Sequence, residues 1–213
     1  MGETTTKAEM STAARAKGVD PKPSRGSPVV AIRDRRAIYA RRVYPSELRP
    51  FYEGWARHQA LVIDAIRGLT HEELALRAAP DTWSIWQLAG HVARSRAFWF
   101  HDMLGEGDPS TRHLFRVDST TVPGLPLDEA GWEDDEDHPR SAEELLDGLN
   151  RSWSMVDEGL QRWNPEELDM SVVRPWGTHH RGWVVWHVME HDIHHGGEIS
   201  QLLGSHGLPG LNV

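Results

Sequence analysis

His191 and His195 stand four residues apart, in a stretch from His179 to His195 that holds six of the chain's thirteen histidines. On a helix that spacing puts both imidazoles on one side, with Cβ atoms about 6 Å apart. Two such rings can chelate one divalent ion through nitrogens at about 2.0–2.1 Å. His91 lies on another helical stripe, between Leu88 and Val92. Three neutral imidazoles meeting inside a helical domain leave an open coordination position, as catalytic rather than structural sites do. The competing reading makes each a core histidine bonded to a backbone carbonyl. That suits a lone buried histidine better than a chelating pair with a third ring nearby.

The same stretch offers a rival motif. His187-Val188-Met189-Glu190-His191 matches the inverted zinc-protease pattern, with two His as ligands and Glu as base. That pattern needs a further ligand well downstream, where little chain follows. His187, His191 and His195 cannot serve one ion together, because eight residues of helix rise about 12 Å. The pair His191 and His195 shares its face with Val184, Val188 and Leu202, whereas His187 sits at the edge of that stripe.

Four helical segments must position these groups. Leu48, Phe51, Trp55, His58, Val62, Ala65 and Leu69 recur at three- and four-residue steps, with Gly68 near the end. The second segment opens on Ser84 and Gln87, at capping-box spacing, and runs through Leu88, His91, Val92, Ser95, Trp99 and Met103 to Gly105. A third opens on Ser141 and Glu144 and carries Leu145, Leu149, Trp153, Val156, Leu160 and Trp163 up to Pro165. The last is expected from about Gly182 to Leu203, with Ile199 and Leu202 inward and Gly204 as its C-cap. The long connection between the second and third segments suits a crossover in an all-α four-helix bundle. Its acidic run, Glu133–Asp137, reads as a solvated loop. Met170–Arg174 reads as one extended strand.

Composition narrows the function. The chain has 213 residues and no Cys, which removes disulfides, thiolate zinc sites, iron–sulfur clusters and a cysteine nucleophile. Residues 1–43 hold ten Lys or Arg against four acids, and the remainder holds 13 against 28. We read residues 1–43 as a basic, poorly ordered arm and 44–213 as the folded domain. So acidic a body disfavours nucleic acid as partner. No run of about 18 apolar residues spans a membrane, and no secretory leader is evident, so a cytoplasmic protein is expected. Ten Trp are a surplus. Trp132 and Trp176 are expected to mark an exposed patch and a homodimer.

The stretch Trp83-Ser84-Ile85-Trp86-Gln87-Leu88-Ala89-Gly90-His91, with His191-Asp192-Ile193-His194-His195-Gly196-Gly197-Glu198-Ile199, resembles the DinB/YfiT-like superfamily. It is most similar to the branch that includes mycothiol-dependent S-transferases, over about residues 46–207. The resemblance implies a metal-binding four-helix bundle with His91, His191 and His195 as ligands. It implies a divalent ion, zinc or nickel, and transfer of a low-molecular-weight thiol such as mycothiol or bacillithiol to a small electrophile, in detoxification or stress response. The family motif often continues as His-Arg-Gly-Gln, and His195-Gly196-Gly197-Glu198 lacks that Arg and Gln. His58, Trp99 and Asp102 are candidates to shape the pocket, with core filling the competing reading for His58 and Trp99. Glu198 is a candidate to accept a proton or orient a ligand. Metal-dependent hydrolysis and non-catalytic, stress-related sequestration are the alternatives.

Overall fold

A computed structural model describes residues 44–116, 134–175 and 177–212. The elements in chain order are α1 (Arg49–Ile66), α2 (His71–Leu74) and α3 (Ile85–Arg96), which continues as a π-helical segment over Ala97–Met103. A 3₁₀ turn (Pro109–His113), α4 (Ala142–Arg162) and α5 (Pro165–Leu168) follow. The hairpin β1 (Ser171–Arg174) and β2 (Gly177–His180) then leads into α6 (Arg181–Ser205). The fold is mostly helical. Helix α3 packs against α4 and α6, and α1 packs against the same two.

Local signals start the helices where the sequence places them. Gln87 N donates to Ser84 Oγ (3.4 Å) while Ser84 N donates to Gln87 Oε1 (2.9 Å). The same reciprocal pair joins Ser141 and Glu144 ahead of α4. Each cap satisfies free N–H groups of a first turn and contributes about 1 kcal/mol. Two further capping boxes, Thr70 with Glu73 and Asn164 with Glu167, start α2 and α5, which the periodicity did not reveal. Pro165 therefore opens a helix at N1 as well as following α4.

The inward faces of α3, α4 and α6 are those expected, but α1 is turned slightly. Phe51 is 61% exposed, and Tyr52 takes the inward place beside Trp55, Gln59, Val62 and Ile66. Trp55 sits at the centre of the aromatic core, edge-on to Trp153 (5.4 Å) and Phe100 (6.5 Å). Ordinary burial at about 25 cal/mol per Å² makes such indoles the largest single contributors to the core.

Three expectations are corrected, and a fourth lies beyond what the structure describes. The segment after α5 is a two-stranded antiparallel hairpin rather than one strand, with Ser171 opposite His180 and Arg174 opposite Gly177. Helix α6 runs past Gly204, and the positive-φ glycine beyond its end is Gly207 (φ 75°). The acidic run is not wholly a solvated loop. Asp134 and Asp135 are largely covered, Asp135 pairing with Arg140 and His138, while Glu136 O accepts from Gln87 Nε2. Residues 1–43, Trp132 and Trp176, on which the basic arm and the dimer patch rest, lie outside the described residues.

Beneath α6 runs a buried polar network. Trp55 Nε1 and Arg96 Nε both donate to Asp192 Oδ2, at 2.6 and 2.8 Å. Arg96 Nη1 and Gln59 Nε2 both donate to Leu149 O. One carboxylate thus ties α6 to α1 and α3, and Arg96 extends the tie to α4. Gly196 matters for the same seam: a Cβ there would stand 2.3 Å from His58 Nε2. Its absence lets His58 lie against α6 and donate to Asp192 O (2.9 Å).

Candidate metal centre

The second turn of α3 and the middle of α6 face each other, and this brings the three histidines together. One ligand nitrogen from each of His91, His191 and His195 lies within 4.8 Å of the others. The Nε2 atoms of His91 and His191 are 2.8 Å apart. His91 Nδ1 donates to Asp134 Oδ2 (2.7 Å), and His195 Nδ1 donates to Glu198 Oε2 (2.6 Å), since a carboxylate oxygen only accepts. Each contact commits Nδ1–H to a carboxylate and leaves Nε2 for the cluster. Carboxylates behind ligating histidines are the usual way to fix tautomer and ring angle and to raise ligand basicity.

The donor set suits a borderline divalent ion. Two nitrogen bonds of about 2.1 Å at a tetrahedral angle separate their donors by about 3.4 Å, so His91 and His191 need to part by only about half an ångström. Among the described residues no carboxylate joins the three nitrogens, and the chain has no Cys to supply a thiolate. Burial, then the neighbouring His195 and His91, push the His191 imidazole down to about 2. It stays neutral at any physiological pH, as a ligand must. Burial also lowers His195. Unlike the other two rings, His191 has a buried Nδ1 without a hydrogen bond.

Beside the cluster opens a cavity of about 110 Å³, walled in part by His91, His191, Ser95, Phe98, Trp99 and His187. His187 is not part of the cluster. It stacks on Trp183 (4.9 Å, 11° between planes) and meets the edge of Trp99 (4.9 Å). Its partner in the rival motif, Glu190, is 4.0 Å away and half exposed. Burial lowers the His187 pKa, so a neutral ring faces the cavity. Over the other side of the cluster, the Trp83 ring lies 4.6 Å from that of His91.

The remaining candidates divide. Trp99 lines the cavity as expected, and Glu198 orients His195, with His194 Nε2 3.6 Å from its second oxygen. His58 does not reach the cavity, because its Nε2 is spent on the α6 backbone. Asp102 is held behind the wall, its Oδ1 3.2 Å from Arg112 Nε, and is not one of the lining residues. Sequence reasoning missed Asp134, which sits in an acidic run that carries no periodicity. An acid placed to answer an inward histidine was the available signal.

The chain matches the DinB superfamily over residues 55–199. Two solved structures share the fold. One is a DinB-like protein from Bacillus cereus ATCC 10987, 19% identical, with a TM-score of 0.53, covering 76% of this chain and 95% of its own. The other is a conserved protein from Enterococcus faecalis, 17% identical, with a TM-score of 0.52, covering 74% of this chain and 97% of its own. No curated protein matches the sequence significantly. At these identities the solved structures speak for the fold alone, while the family match spans well over half of the sequence, and on that ground the chain belongs to the DinB superfamily.

Proposed function

We propose that His91, His191 and His195 hold a divalent ion, zinc or nickel, in a four-helix bundle whose long α3–α4 connection is its crossover. On this reading the protein transfers a low-molecular-weight thiol, of the mycothiol or bacillithiol type, to a small electrophile in the adjoining cavity. The observation that carries the reading is the convergence of three imidazoles, two of them backed by carboxylates, beside a half-buried cavity. When bound, such an ion would lower the pKa of a thiol that reaches it and so supply a nucleophile near neutral pH. Asp134 and Glu198 keep their histidines in the ligating tautomer. Trp83 shields one flank of the cluster, and Trp99 and Phe98 exclude water from the place where an electrophile would lie. His187, neutral on the cavity wall, is positioned to accept the proton the thiol gives up. A chain with no Cys needs its sulfur from outside.

Elemental analysis tests the ligands. His191→Ala and His195→Ala should lose most of the metal, whereas His187→Ala should keep it. Loss at His187 with retention at His195 would reinstate the inverted protease motif. Turnover is tested by presenting a panel of electrophiles with mycothiol, with bacillithiol and with neither. Thiol-dependent adducts are expected. Turnover without thiol would replace the reading by hydrolysis, and tight binding without turnover by sequestration.

A further inference from the structure

Arg94, one turn after His91 on α3, is buried to 2% exposure, yet none of its three guanidinium nitrogens makes a hydrogen bond. A buried polar group left unpaired is costly, and a buried charge more so. Among the described residues its one ion pair is loose, with Nη2 3.8 Å from Asp102 Oδ2. Asp102 has a nearer partner in Arg112, at 3.2 Å. Arg94 is thus held to Asp102 by charge alone, without a hydrogen bond. The guanidinium lies 5.9 Å over the Phe98 ring, and both side chains belong to the cavity that His91 and His191 border.

We infer that Arg94 is the anchor for a carboxylate on the small-molecule substrate, whose apolar body lies against Phe98 and Trp99. The inference rests on the reading of this cavity as the substrate site. Among the described residues, Arg94 feels two other guanidiniums, Arg112 and Arg116, and two carboxylates, Asp102 and Asp134. The apolar walls, Phe98 and Trp99, suit a carboxylate that carries a ring or a short chain better than a fully hydrated phosphate dianion. A planar fork matches a carboxylate with two parallel hydrogen bonds. The nitrogens are sealed from water, so the side chain turns from Asp102 toward the cavity as the anion enters. An apolar cavity of about 150 Å³ takes benzene. The 110 Å³ here, open on one side, admits a small aromatic or short aliphatic acid.

Calorimetric titration of the purified protein with benzoate, benzyl alcohol and inorganic phosphate is the test, with metal content measured on every sample. Benzoate should bind, the neutral alcohol and phosphate should bind at least about tenfold more weakly, and Arg94→Gln should weaken benzoate about tenfold or more. Arg94→Lys, which keeps the charge and loses the fork, should fall between and provides the reading if the Gln variant does not fold. Equal benzoate affinity in native protein and both variants would overturn the proposal, as would no benzoate binding to the native protein. Either result leaves the metal reading standing or falling on the metal content of His191→Ala.

Discussion

Two neighbouring residues of α6 illustrate opposite uses of burial. Asp192 turns inward and is answered from two other helices, by Trp55 and Arg96. Beside it, His191 faces the cavity, meets the imidazoles of His91 and His195 and leaves one nitrogen without a hydrogen bond. The first arrangement is paired in charge, carboxylate against guanidinium, although Asp192 Oδ1 makes no hydrogen bond. The second is open, and its unmet valence is what a ligand would use. One residue, about 100° around the helix, thus separates a fastening from a candidate binding site. The polar groups that matter for function are those the fold leaves incomplete.

The contrast can be broken most forcefully at Asp192. Asp192→Ala strips a buried guanidinium of its counter-charge and should cost about 3–5 kcal/mol, read from urea unfolding of the metal-free protein. His191→Ala under the same conditions should cost much less, because it removes a side chain already short of a partner. Comparable losses would show that both residues serve stability alone.

Acid sharpens the contrast next. His191 is held at about 2 in the folded protein, whereas an unfolded histidine titrates near its ordinary value of about 6.5. Below that value the unfolded chain takes up a proton that the native site refuses, so metal-free stability is fully present above about pH 6.5 and falls as pH drops. His195, His58 and His187, each lowered mainly by burial, act in the same sense. Unfolding curves between pH 7.5 and 5 should show the decline, and His191→Ala should flatten it.

The finest probe is a pair of glycines on the same helix. Gly196→Ala pushes a methyl into His58 and should destabilise by about 1–2 kcal/mol, after the gain in helix propensity is counted. Gly197→Ala meets open space and should stabilise by about 0.5–1 kcal/mol. Thermal unfolding of the two variants distinguishes the closed face of α6 from its free one.

Much of this was legible in the sequence because it is local. The Ser84 and Ser141 caps, the stripes of α3, α4 and α6 and the four-residue spacing of His191 and His195 are fixed within a turn or two. The pairing of His91 with α6 followed from the family resemblance rather than from periodicity. What escaped depends on distant partners. Asp134 becomes a histidine's hydrogen-bond acceptor only because its segment returns to α3, and β2 is a strand only because β1 lies beside it. His58 looked like a pocket residue since its inward direction was right. Only the missing side chain at Gly196 shows that it stops at the helix backbone.

The π-helical segment after α3 carries a consequence for how the chain tolerates change. Leu104 N bonds back five residues to Trp99 O, and Phe98, Trp99 and Phe100 are all buried in succession. The wider turn acts as a phase shifter between two gears. Residues before it keep time with the histidines, and residues after it with the aromatic core. Closing this segment into ordinary α-helix at its full length would rotate everything beyond by about 100°. Phe100 and Met103 would leave their places, and the Asp102 carboxylate would swing away from Arg94. Substitutions at Ala97 or Phe100 that draw this stretch into ordinary helix therefore act on the cavity wall from a distance.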